Sequence, residues 1–131
     1  MIIDSSALIA ILLGEPDAAA YAQAIANDPK RLISAFSALE TAIVIEAKKG
    51  EIGGRELDLL LHRAHIDSVS MTSEQTDIAR TAWRTYGKGR HPAALNIGDC
   101  CAYALSKVEG EPLLFKGHDF DHTDVNRVIL Y

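Results

Sequence analysis

The sequence predicts an α/β fold, a central and mainly parallel sheet flanked by helices. Two observations carry that prediction. Short apolar runs alternate with helical patterns along the whole chain, an order that pairs strands in parallel and stacks helices on both faces. The first run also stops on a carboxylate, Asp4, at the strand end beyond which open α/β sheets bind their ligands. With 131 residues, 48% of them apolar, the chain is sized for one domain, residues 1–131. Such a domain needs no metal or disulfide to hold it together.

The elements follow in order. Met1–Asp4 reads as a strand and Ser6–Leu13 as a short helix. Glu15-Pro16-Asp17 restarts helix through about Asn27, with proline in the first turn, where its missing N–H is not needed. Arg31–Ser34 is a brief strand. Ala35–Lys49 is a helix stopped by Gly50, and its wheel gives an apolar stripe of Phe36, Leu39, Ile43, Val44 and Ala47. Gly53–Ala64 is a further helix, and Ile66–Met71 alternates like a strand. Thr72-Ser-Glu-Gln75 is a capping box that opens a helix to Tyr86. Gly87–Leu95 is a loop. Asn96 caps a helix that ends at Gly110. Pro112–Phe115 is a strand, and Arg127–Leu130 is a candidate last one.

Several classes drop out. No apolar run is long enough to cross a bilayer, and Ala7–Leu13 lacks the flanks of a signal peptide. A cytoplasmic protein with no membrane partner is therefore expected. Cys100 and Cys101 are neighbours, a poor geometry for a bridge, and free thiols suit a reducing compartment. A net charge of −5 argues against a general nucleic-acid binder. Yet Arg80, Arg84, Lys88, Arg90 and His91 lie between Ile78 and Ile97 with no acid among them.

Four acids stand out, and each has a structural explanation beside a chemical one. Asp4, or Ser5 after it, can cap the next helix. Glu40 falls inside the apolar stripe of its helix, where an ionised carboxylate is costly unless it reaches water or a partner. Asp99 is the third residue after the Asn96 cap, where free N–H groups and the helix dipole favour an acid. Asp119 follows the strand Pro112–Phe115 and suits a turn. Gathered in one pocket, the four would not stay ionised without a cation. Oxygen ligands alone select Mg²⁺, with Mn²⁺ able to substitute.

Taken in order, Asp4 in "IIDSSAL", Glu40 in "SALETA", Asp99 in "NIGDCCAYALS" and Asp119 in "LLFKGHDF" resemble the PIN-domain nucleases, and more narrowly the VapC-type toxins of bacterial type II toxin–antitoxin pairs. The resemblance runs over the whole chain. It implies a PIN-like three-layer α/β/α fold, an acidic pocket binding Mg²⁺, and hydrolysis of RNA phosphodiester bonds. It also implies a homodimer and a VapB-type antitoxin that blocks the pocket, with transfer or ribosomal RNA as substrate. By position, Asp4 and Asp99 would be the metal ligands, Glu40 and Asp119 the catalytic acids, and Ser6 the hydroxyl supporting them. Arg80, Arg84, Lys88 and Arg90 would lie along the RNA backbone, with Trp83 read as a core residue. One departure concerns the last motif, where Gly117 stands in place of an acid common in relatives. That points to a single metal ion.

Other readings make different demands. A phosphatase whose first strand ends in an aspartyl nucleophile needs a second Asp at the position of Ser6. His118 and His122 have the spacing of a helical zinc pair but no third ligand in view. The non-enzyme alternative is an RNA- or partner-binding module whose acids are only caps.

Overall fold

The structure is a computed structural model that describes residues 1–131. Four short strands form one sheet: β1 (Ile2–Ile3), β2 (Leu32–Ser34), β3 (Asp67–Val69) and β4 (Leu113–Leu114). Their order across the sheet is β3-β2-β1-β4, and every pairing is parallel. The six helices are α1 (Ser5–Leu12), α2 (Ala18–Asn27), α3 (Ala35–Lys49), α4 (Glu51–Arg63), α5 (Ser73–Tyr86) and α6 (Ile97–Glu109). The predicted class and the element order are those observed.

The alternation of side chains along a strand divides the core in two. Ile2 joins a cluster with Leu95, Leu105 and Phe115, which seats α5 and α6 on one face of the sheet. Ile3 joins Leu8, Tyr21, Ile25 and Leu57 on the other face, under α1, α2 and α4. Both central strands are buried on both sides, which is why they read as short apolar runs rather than alternating ones.

Three expectations differ from the structure. Arg127–Leu130 forms no strand; it contributes one bridge, Leu113 to Arg127, with Val128 N–H donating to the Leu113 carbonyl. The Thr72 box is half formed. Thr72 accepts from Gln75 N–H, but the Gln75 amide turns inward to the Ser70 carbonyl instead of back to the cap. The largest difference is α3. Its buried face is Ser37, Thr41 and Ile45, while Leu39 and Ile43 are 58% and 60% exposed. Leu39, Ile43 and Ala47 of the predicted stripe face outward, and Phe36 and Val44 are half-buried at its edge.

The carboxyl ends of the strands share one edge. β1 is in register with β4, Ile3 opposite Leu114, and Asp4 N–H donates to the Leu114 carbonyl. β2 runs directly into α3 at Ala35. This edge carries the site.

Candidate active site

Asp4 is fixed as it leaves β1. It is the N-cap of α1: one carboxylate oxygen, Oδ2, accepts from both the backbone N–H and the hydroxyl of Ser6. The Ser6 oxygen in turn accepts from Lys116 N–H at 2.9 Å, tying the β4 end to the same carboxylate. Ser6 thus links the Asp4 carboxylate to the β4 end. The cap engages one oxygen of Asp4 and leaves Oδ1 without a protein partner.

Asp99 repeats this arrangement on α6. Asn96 Oδ1 accepts from Asp99 N–H at 2.9 Å, and Asp99 Oδ2 accepts from Asn96 N–H at 3.0 Å, a complete capping box. The second Asp99 oxygen makes no protein hydrogen bond. Glu40 comes from the second turn of helix α3 and sits half-buried. Its Oε1 accepts from the Ser5 hydroxyl at 2.8 Å. A Cβ on Gly98 would lie 2.5 Å from Glu40 Oε2, so the carboxyl rests on a space that only glycine leaves open.

Two positions were missed from sequence. Ser5 holds Glu40, although Ser6 drew attention as the supporting hydroxyl. Gly98 seats Glu40, and a missing side chain carries no chemical signal. Its only trace is its place directly before Asp99.

The electrostatics follow from burial. Asp4 is 4% exposed, and desolvation raises its pKa to about 6, with Ser6 hydrogen bonds opposing and Glu40 and Asp119 repulsion adding. Asp99 is raised to about 7, again by desolvation first, with the Asn96 hydrogen bond opposing and repulsion from Asp4, Asp119 and Glu40 adding. The four acids are thus near enough to feel one another. Asp119 is exposed in a turn at the rim. Gly117, two residues earlier, has φ of 98°, a conformation that an L residue such as Asp rarely adopts.

The donor set fits a hard divalent ion: carboxylate oxygens, two with a free lone-pair edge, and no imidazole or thiolate among them. No three of the chain's His, Cys, Asp or Glu side chains already stand in a metal-ligating arrangement. The zinc alternative fares worse. His118 is 94% exposed at its side chain and pairs with Asp121 at 2.7 Å. The buried thiols are also poor ligands: burial pushes Cys100 up to about 11 and Cys101 upward as well.

Around the acids, the basic residues divide. Lys116 pairs with Glu15 and with Asp17 at 3.0 Å, and these contacts hold its pKa above the ordinary lysine value. It ties the β4 end to the α1–α2 connection. Arg80, Arg84, Lys88 and Arg90 are all exposed and form no ion pair. Trp83 is 43% exposed, not a core residue, and the Arg90 guanidinium lies 4.3 Å from its ring centre.

Comparison with known proteins gives consistent matches. The PIN domain family matches residues 1–126. The ribonuclease VapC30 of Mycobacterium tuberculosis is 59% identical over 130 residues, covering 99% of each chain. The ribonuclease VapC of Mycolicibacterium smegmatis is 60% identical over 128 residues, covering 98% of this chain and 99% of that one. Among solved structures, M. tuberculosis VapC20, described as a sarcin–ricin loop cleaving toxin, superposes with a TM-score of 0.78 at 15% identity, covering 97% of both chains. A toxin–antitoxin complex from Klebsiella pneumoniae matches with a TM-score of 0.71 at 14% identity, covering 94% of this chain and 92% of that one. At those identities the two structures speak for the fold alone.

Proposed function

The chain belongs to the PIN-domain family, and on that premise we propose that it is the toxin of a type II toxin–antitoxin pair. Its activity in this reading is endoribonucleolytic hydrolysis of RNA, in the cytoplasm, held in check by a VapB-type antitoxin. One observation carries the chemistry: Asp4 and Asp99 are buried with raised pKa values, and each feels repulsion from Glu40 and Asp119. Caps alone would not require that mutual repulsion.

Mg²⁺, or Mn²⁺ in its place, would be held by the free oxygens of Asp4 and Asp99, and when bound it supplies neutralisation of phosphate charge and activation of water. The chain's own groups do the rest. Ser6 and the α1 N-terminus hold Asp4 in one orientation, and the Asn96 box does the same for Asp99. Glu40, clamped by Ser5 above Gly98, accepts the proton of the attacking water, with Asp119 at the rim as the alternative acceptor. Arg80, Arg84, Lys88 and Arg90 bind the RNA backbone through its phosphates.

The exposed apolar face of α3, with Leu39 and Ile43, is the surface on which a second copy would dock to give the homodimer. Sedimentation of Ile43→Asp as a monomer would support that face; an unchanged dimer would move it elsewhere.

RNA cleavage with Mg²⁺, with EDTA, and by Asp4→Ala with Mg²⁺ tests the main reading. Cleavage in the first condition alone is expected. Equal cutting in all three would reject the mechanism, and none in any would favour a non-catalytic RNA- or partner-binding module.

A further inference from the structure

A cavity of about 410 Å³ opens between α5 and the start of α6. Its walls are mainly apolar, formed by Met71, Ala79, Trp83, Leu95, Ile97 and Cys100, with Arg80, Lys88 and Asn96 also lining it. Asn96 is the residue that caps Asp99, so the cavity and the acidic nest share the first turn of α6. The Trp83 indole forms part of the wall and is held in place. Arg90 covers it at 4.3 Å, and a Cβ on Gly87 would lie 2.5 Å from indole Cδ1, so the ring edge rests against bare backbone.

We propose that this cavity is a subsite for an unpaired nucleobase of the RNA, stacked on Trp83, with the adjoining phosphates on Arg80, Lys88 and Arg90. The inference rests on the ribonuclease reading for its substrate and deepens it: the RNA enters as a single strand or a loop, not as a closed duplex. Charge complementarity selects this occupant. A flat aromatic wall flanked by Arg80 and Lys88, neither of them in an ion pair, with the Arg90 guanidinium already on the indole, matches a base and its polyanionic backbone. An apolar protein segment would leave those cations unmatched.

The chain has a single tryptophan, so its emission reports on this cavity alone. In EDTA, with hydrolysis stopped, a short single-stranded RNA should quench Trp83 emission, and the same sequence as a duplex should not. Affinity, read by a label on the RNA, should fall about tenfold in Trp83→Ala and much less in Trp83→Phe. Along a series of RNAs with one abasic nucleotide, one position should weaken the natural chain while leaving Trp83→Ala unaffected. Equal losses in both chains at every position would overturn the proposal. So would unchanged RNA affinity in Trp83→Ala with an altered sedimentation of the free protein, which would assign the cavity to a protein partner. A chain that binds RNA through Trp83 yet never cuts it would sink the ribonuclease reading and leave this one standing.

Discussion

Two groups of like charge, the four acids and the basic residues of α5 and the loop after it, are built on opposite terms. The acidic nest takes its charges out of water: Asp4 and Asp99 are 4% and 7% exposed and are pushed toward the protonated form. The basic wall leaves every charge in water, on α5 and the loop after it, where like charges repel weakly and solvent screens them. Burial, more than sign or number, decides which cluster strains the fold. The nest therefore suits a compact ion of high charge, and the wall suits a long flexible polyanion.

Asp4→Asn should break the comparison most sharply. Both acids bind protons more tightly folded than unfolded. The metal-free fold is therefore favoured at low pH and loses that contribution as pH rises from the ordinary 3.8 through about 6 for Asp4 and about 7 for Asp99. In EDTA at pH 8, Asp4→Asn should melt at least roughly 5 °C higher than the natural chain. The gap should close toward pH 4. A gap that is constant with pH would mean that Asp4 is not strained by its burial.

Gly98→Ala should come next. The new methyl displaces Glu40 while leaving Asp4 and Asp99 their hydrogen bonds. Turnover should fall about ten- to a hundredfold, the range for disturbing a residue that supports a metal site, with RNA affinity in EDTA unchanged. If affinity falls instead and turnover holds, Glu40 is part of the RNA surface and not of the chemistry.

The smallest effect belongs to the wall. Arg84→Ala should weaken RNA binding a fewfold and reduce the slope of log affinity against log salt by about 0.7, one phosphate contact on a single strand. Melting should not change. A steady slope would take Arg84 out of the RNA path.

What the sequence disclosed and what it hid have physical explanations. Glu40 stood out in the sequence because an acid within an apolar stripe breaks a local pattern, whereas Asp4 and Asp99 fit their caps and drew attention only as members of the set. Gly98 and Ser5 were not legible, since one acts by lacking atoms and the other by a contact 35 residues away. The α3 stripe was misassigned because hydrophobicity cannot distinguish a side chain facing the core from one facing outward. In this helix, Ser37, Thr41 and Ile45 set the packed face. Trp83 was misplaced by the same rule, read as core because it is large and apolar. The Lys116 ion pairs were also out of reach, since only the fold brings Glu15 and Asp17 to it.

The Asn96–Asp99 box has a practical consequence for anyone who needs an inert form of the protein. Truncating Asp99 to alanine removes the acceptor of the Asn96 N–H along with the charge, so that variant also loosens the helix start. Asparagine at position 4 can still accept from Ser6 N–H while carrying no charge, which makes it the better place to disarm the chain before trapping it on intact RNA.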